Sequence, residues 1–242
     1  PVSHEPLESW VNPGDKVALI VSDMSRFWMR QDLVVPHIIS YLTDKCDVNQ
    51  NNITIIIANG THPGGDENEL RTLVTDGVYD RIRVVNHDCQ AKDLVYIGTT
   101  SLGTEVRINP IAANADKVTV HHLMSGFGGG RKSILPGISG LETIRQNHLH
   151  SLDLLAPRSN PLIGNGVTDG NPLNEDMCQA AAMVKNLFGI NLVTNADMQL
   201  AHIISGDPMK SWQLACHRVD EIYRVPIVKK ADVIITSCGG YP

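Results

Sequence analysis

Five cysteines in 242 residues, with no close pair among them, are too few and too scattered for a disulfide framework. Cys46, Cys89, Cys178, Cys216 and Cys238 are read as reduced, core-filling thiols, in keeping with a cytoplasmic protein. Aromatic residues make up only 5% of the chain, which leaves little to stack against nucleobases. No block of five basic residues occurs and the formal net charge is −6, so nucleic acid is excluded as a partner. No apolar run reaches the roughly 18 residues a membrane span needs, and the opening PVSHEPLESWVNPGDK does not read as a signal peptide. Internal repeats and low-complexity tracts are absent as well.

What remains is an ordinary globular composition, 42% hydrophobic and 19% charged. Strands are expected at 17–22, 53–58, 81–85, 104–109, 117–120, 190–194 and 231–236. The first two, KVALIV and ITIIIA (from Lys16 or Ile53 onward), are continuous aliphatic runs rather than alternating ones. That pattern suits parallel strands covered on both faces. Helical patterns fall at 31–46, 65–75, 140–150, 174–187 and 209–222. Asn174 is the expected cap of the fourth, with Glu175 and Asp176 in its first turn. Strands and helices that alternate in this way give a three-layer α/β/α domain with a mostly parallel, Rossmann-like sheet. The stretch 150–173, rich in Pro, Gly and Asn, is expected to be a long ordered loop.

Open parallel sheets bind ligands beyond the carboxyl ends of their strands. Asp23 and Arg26 follow the first strand, His62 follows the second, and His122 follows 117–120, so one sheet edge collects them all. Arg26 is a candidate clamp for a carboxylate or phosphate, its planar fork matching paired oxygens. Asp23 either orients it or binds a ribose hydroxyl; a surface ion pair is the plainer alternative. His62 and His122 are candidate acid/base groups, because imidazole exchanges protons near neutrality, although a single histidine in such a place is commonly structural.

The richest stretch is HLMSGFGGGRK at 122–132. Gly126, Gly128, Gly129 and Gly130 permit tight turns that expose amide donors to an anion. The run is not a phosphate-binding P-loop, since Arg131 stands where that motif needs glycine. Lys132, beside Arg131, is either a nucleophilic amine whose pKa neighbouring charge lowers or a phosphate-binding lysine. His148 is a candidate ligand for a soft or borderline metal, and His150 is expected to face away from it. One protein ligand does not make a structural zinc site, so a metal here draws its other ligands from a cofactor.

These motifs resemble the nickel-dependent lactate racemase family. The likeness runs from about residue 15 to the end. It rests on DMSR at 23–26, GTH at 60–62, NHD at 86–88, HLMSGFGGGRKSILPG at 122–137, TIRQNH at 143–148 and GGYP at 239–242. It implies a nickel pincer nucleotide, a pyridinium-3-thioamide-5-thiocarboxylic acid mononucleotide, held covalently on Lys132 with His148 as the protein ligand to nickel. Asp23, the glycine nest and Arg131 would help hold the nucleotide. Arg26 would meet the substrate carboxylate, and His62 and His122 would be paired catalytic bases on opposite faces of a 2-hydroxy acid. The implied reaction is racemisation or epimerisation by reversible hydride transfer. The alternatives are different chemistry on a hydroxy or sugar acid, and a non-catalytic nucleotide-binding module. Cofactor-making enzymes are implied partners.

The chain departs from the family pattern at Ser25, at Phe27-Trp28-Met29 and at Phe127-Gly128, which bears on the substrate and cofactor sides of the site. Members of the family also carry a second domain. Residues 1–242 are therefore expected to be a cofactor-carrying N-terminal domain, incomplete at both ends, with the C-terminal domain missing. A bared docking face would favour homo-oligomers.

Overall fold

A computed structural model describes residues 1–123, 132–156, 158–164 and 166–235, and of residues 121–123 the backbone. The strands are β1 (Val17–Ser22), β2 (Ile53–Ala58), β3 (Arg83–Asn86), β4 (Val95–Thr99), β5 (Glu105–Ile108), β6 (Lys117–Leu123), β7 (Leu152–Asp153), β8 (Arg158–Ser159), β9 (Leu187–Thr194) and β10 (Leu200–Gly206). The helices are α1 (Leu7–Trp10), α2 (Val35–Asp44), α3 (Glu67–Val74), α4 (Asp76–Tyr79), α5 (Pro110–Ala113), α6 (Leu141–Leu149), α7 (Pro172–Ala182) and α8 (Pro208–Tyr223).

Six strands form one sheet in the order β10-β9-β6-β1-β2-β3. All neighbours run parallel except β9 and β10. Every residue of β1 is buried, and alternate side chains enter different cores. Leu19, Val21, Ile55 and Ile57 pack with Ile39 and Leu42 of α2 and Leu73 of α3. Ala18, Ile20, Ile56 and Val120 pack on the other face with Ile134, Ile144, Met177 and Ala180. From β1 the chain steps outward through β2 to β3, then returns to lay β6 on the other side of β1. The order therefore reverses between β1 and β6, and a crevice forms at their carboxyl ends.

Helix starts are fixed by local chemistry. Asp66 and Glu69 form a reciprocal capping box on α3, and Asp207 accepts from the amides of Met209 and Lys210 at the start of α8. The fourth long helix is capped three residues before the expected position. Asn171 is the cap, accepting from the Asn174 amide, because Pro172 is suited to the first helical position. This helix ends at Ala182, and β9 takes up the chain at Leu187.

Other departures have similar local causes. The expected strand 104–109 is not in the main sheet; β5 pairs antiparallel with β4 in a separate hairpin. β10 is an edge strand with half-exposed alternation, a weaker signal than the aliphatic runs. The 150–173 stretch contains the small β7–β8 pair and the start of α7 rather than being loop throughout. Residues 231–235 form no strand, because no neighbour accepts their backbone; Ile235 is 94% exposed.

Candidate active site

The crevice at the β1/β6 reversal is where the chemistry collects. Asp23 is the first residue after β1 and is 92% removed from solvent, at 8% exposure. Its Oδ2 lies 2.6 Å from Nδ1 of His62. Its Oδ1 accepts from the Ser25 hydroxyl at 2.7 Å, and Ser25 Oγ in turn accepts from Arg26 Nη1 at 2.8 Å. Arg26 itself stands 4.0 Å from Asp23, so the two are joined through Ser25 rather than in a direct fork. Asp23 is thus engaged with the histidine on one oxygen and with Ser25 on the other, and it also lines the cavity.

His62 reaches Asp23 because the chain turns sharply after β2. Gly60 adopts φ +57°, where a Cβ is disfavoured, and its amide donates to the Gly137 carbonyl at 2.9 Å. The His62 amide closes the turn onto the Asn59 carbonyl at 2.9 Å. A carboxylate only accepts, so Nδ1 carries a proton, and in the neutral ring the lone pair is then on Nε2. The side chain is half-exposed and lines a cavity of about 250 Å³.

Lys132, Arg26, Asn147 and His148 line that same cavity. Burial pushes the Lys132 amine below its usual pKa, and the Arg26 guanidinium adds to the shift. Arg26 reaches the amine from another strand end; Arg131, the neighbour to which the sequence pointed, lies outside the described residues. His148 sits in the last turn of α6, and its Nδ1 donates to the Ile144 carbonyl at 2.8 Å. That bond leaves Nε2 as a σ-donor, the arrangement metal-ligating histidines use. His150 does not line the cavity; its Nε2 lies 3.8 Å from the buried Asp176.

His122 belongs to β6, opposite Asn191 of β9, which puts it on the expected edge. Its side chain, with Gly126, Gly128, Gly129, Gly130 and Arg131, lies outside the described residues. Sequence reasoning missed two features. One is the Asp23–His62 pair, signalled by polar residues at the ends of adjacent strands. The other is Asp176, which accepts from Thr100, Thr104 and Asn147 and so anchors the residue before His148.

Residues 1–158 match the family model described as the lactate racemase N-terminal domain, which is more than half of the chain. The chain belongs to this family. It is 34% identical over 197 residues to the lactate racemase of Thermoanaerobacterium thermosaccharolyticum, covering 79% of this chain and 45% of that protein. It is 29% identical over 248 aligned positions to that of Lactiplantibacillus plantarum, covering 100% of this chain and 56% of that protein. The fold matches the lactate racemase apoprotein structure from T. thermosaccharolyticum with a TM-score of 0.82 at 27% identity, over 92% of this chain and 53% of that one. The chain spans about half the length of the curated relatives it matches.

Among the described residues, no group of three or more His, Cys, Asp or Glu gathers to hold a metal by itself. His148 offers one nitrogen and Lys132 a desolvated amine in one cavity, a donor set that fits a metal carried on a covalently attached cofactor. No described helix is long and apolar enough to cross a membrane.

Proposed function

We propose that this chain is the cofactor-carrying part of a nickel-dependent racemase or epimerase of 2-hydroxy acids. The observation that supports this most is the convergence of the Asp23–His62 pair, Arg26, Lys132 and His148 on one cavity at the sheet's reversal point.

The nickel pincer nucleotide, when bound, supplies a centre that accepts and returns a hydride. Lys132 is its anchor, since an amine held below its usual pKa presents a lone pair for a covalent link. His148 Nε2 is its protein ligand. Asp23 fixes the His62 tautomer so that Nε2 faces the cavity and takes the substrate hydroxyl proton. Arg26 holds the substrate carboxylate, being tied through Ser25 to the same aspartate that orients the base. His122, from β6, serves as the second base, because inversion at C2 leaves the product hydroxyl on the other side. Gly126, Gly128, Gly129, Gly130 and Arg131 would help hold the nucleotide, through backbone amides and a guanidinium suited to its phosphate.

The test is the full-length protein expressed with the enzymes that make the cofactor. Intact mass should show an adduct, peptide mapping should place it on Lys132, and metal analysis should find about one nickel per chain. Chiral chromatography should then show interconversion of a 2-hydroxy acid. Bare protein under those conditions, or an adduct that survives Lys132→Ala, overturns the assignment.

A further inference from the structure

We infer that the substrate is a 2-hydroxy acid with an extended, uncharged side chain, and that this side chain lies in the groove beyond His62. The inference rests on the racemase reading above. A second cavity of about 960 Å³ opens beside the first, and Asp23, Arg26, Asn59 and His62 line both. The four substituents at C2 then find separate directions. The carboxylate goes to Arg26, the hydroxyl to His62, and the hydrogen toward the cavity of Lys132 and His148. The remaining substituent points into the second groove.

Met24, Trp28 and Pro63 give that groove an apolar stretch, backed by the buried Ile57 and Leu73, within an otherwise polar rim. Beyond the shared Asp23, Arg26 and His62, its one ionisable lining residue is Glu69. A second carboxylate on the substrate would meet a like charge and no cation of its own. A methyl group would leave most of the groove unfilled, whereas a branched or aromatic side chain would cover the exposed face of Trp28.

The wall is built rather than incidental. Asn86 accepts from the Gly65 amide at 3.1 Å and donates to the Gly65 carbonyl at 2.8 Å. Asn59 donates to the Pro63 carbonyl at 3.1 Å and to Asn86 Oδ1 at 3.3 Å. These bonds pin the 63–65 turn to the end of β3, so the groove is present before any ligand arrives. A Cβ at Gly64 would come within 3.0 Å of the pinned Asn86, so the turn is tight there, while one at Gly65 would have to displace the Glu69 carboxylate at 2.8 Å.

The experiment uses the full-length, cofactor-loaded enzyme with enantiopure lactate, 2-hydroxy-4-methylpentanoate, 3-phenyllactate and malate. Turnover is read by chiral chromatography and binding by calorimetry on the same preparation. Either larger monoacid should exceed lactate in kcat/KM by about tenfold or more, mainly through KM, and malate should be the poorest. Trp28→Ala should bring the larger acids down toward lactate while the adduct mass on Lys132 stays unchanged. Trp28→Leu should recover part of the preference. A preference for lactate or malate, or a ratio indifferent to Trp28, overturns this inference and leaves the racemase reading standing. With the adduct present but no turnover, equal calorimetric affinities for lactate and phenyllactate overturn it too. Absence of the adduct removes the racemase reading and this inference with it.

Discussion

At the scale of single residues, Asp23 does more than sequence position suggests. One oxygen faces His62 and the other faces the Ser25 hydroxyl that carries Arg26. Asp23→Asn keeps the shape but presents either an amide donor to Nδ1 or an oxygen of lower charge, so the tautomer is no longer enforced. In the loaded full-length enzyme kcat should fall on the order of 100-fold or more, the range general acid–base groups supply. The mass adduct on Lys132 should be retained. Loss of the adduct would instead place Asp23 among the nucleotide contacts. Lys132 gives a second test. Its folded pKa lies below the ordinary amine value, so the folded state binds fewer protons than the unfolded chain between the two values. The stability tied to this group is therefore greatest above about pH 10.4 and falls as pH drops toward the folded pKa. Lys132→Met should stabilise the cofactor-free chain at pH 7 in urea titrations, with the advantage shrinking as pH rises toward 10. Arg26→Met removes the nearby cation, so acylation of Lys132 by an amine reagent should reach half its maximal rate at a higher pH. An unchanged profile would leave burial as the whole cause.

At the scale of elements, two buried polar nodes decide where the site residues stand. Asp176 of α7 is fully buried and accepts from Thr100 and Thr104 of the β4–β5 hairpin and from Asn147 of α6. Asp176→Ala strands three donors at once, and each unsatisfied buried group costs about 1–3 kcal/mol. A loss of roughly 3 kcal/mol or more is expected in urea unfolding, with weaker nickel retention in the loaded enzyme because Asn147 precedes His148. His87 is the second node. Its Nε2 donates to the Ser139 carbonyl at 3.0 Å and its Nδ1 faces Asn109 Nδ2 at 3.3 Å, which requires the neutral ring. Burial lowers its pKa, so its stability contribution is present above about pH 6.5 and declines as pH falls through that value toward the folded pKa. His87→Gln should flatten the Tm-against-pH slope in that window; an equal slope would assign it to another group. Neither node was legible in the sequence, because each joins residues far apart in the chain through tertiary contacts. β1 and β2 were legible, since unbroken aliphatic runs suit strands buried on both faces, and so was the edge that gathers Asp23, His62 and His122. The pairing of Asp23 with His62 rather than Arg26 depends on the Gly60 turn, which no local pattern announces. The antiparallel β10 escaped notice because an edge strand needs apolar residues on one face only.

At the scale of the whole molecule, the described sheet buries its aliphatic strands on both faces, yet the segment after α8 does not join it. Val225, Ile227, Val228, Val233, Ile234 and Ile235 range from 76% to 96% exposed. An apolar, β-prone stretch in water associates with whatever apolar surface it meets, and from Val225 to Ile235 only Lys229, Lys230 and Asp232 interrupt it with charge. The chain spans about half the length of the relatives it matches. The 242-residue chain is expected to sediment as a concentration-dependent mixture of monomer and larger species. Replacing Ile227, Ile234 and Ile235 with lysine should shift that distribution to monomer. Because those side chains pack against nothing, Tm should change by less than about 1 °C, as surface substitutions usually do. Sedimentation velocity across a tenfold concentration range, with thermal melts of the same samples, reads both quantities. If the triple variant associates as the parent does, the contact surface lies elsewhere, and the exposed apolar side chains after α6, Leu154 and Leu155, at 79% and 98% exposure, become the ones to replace next.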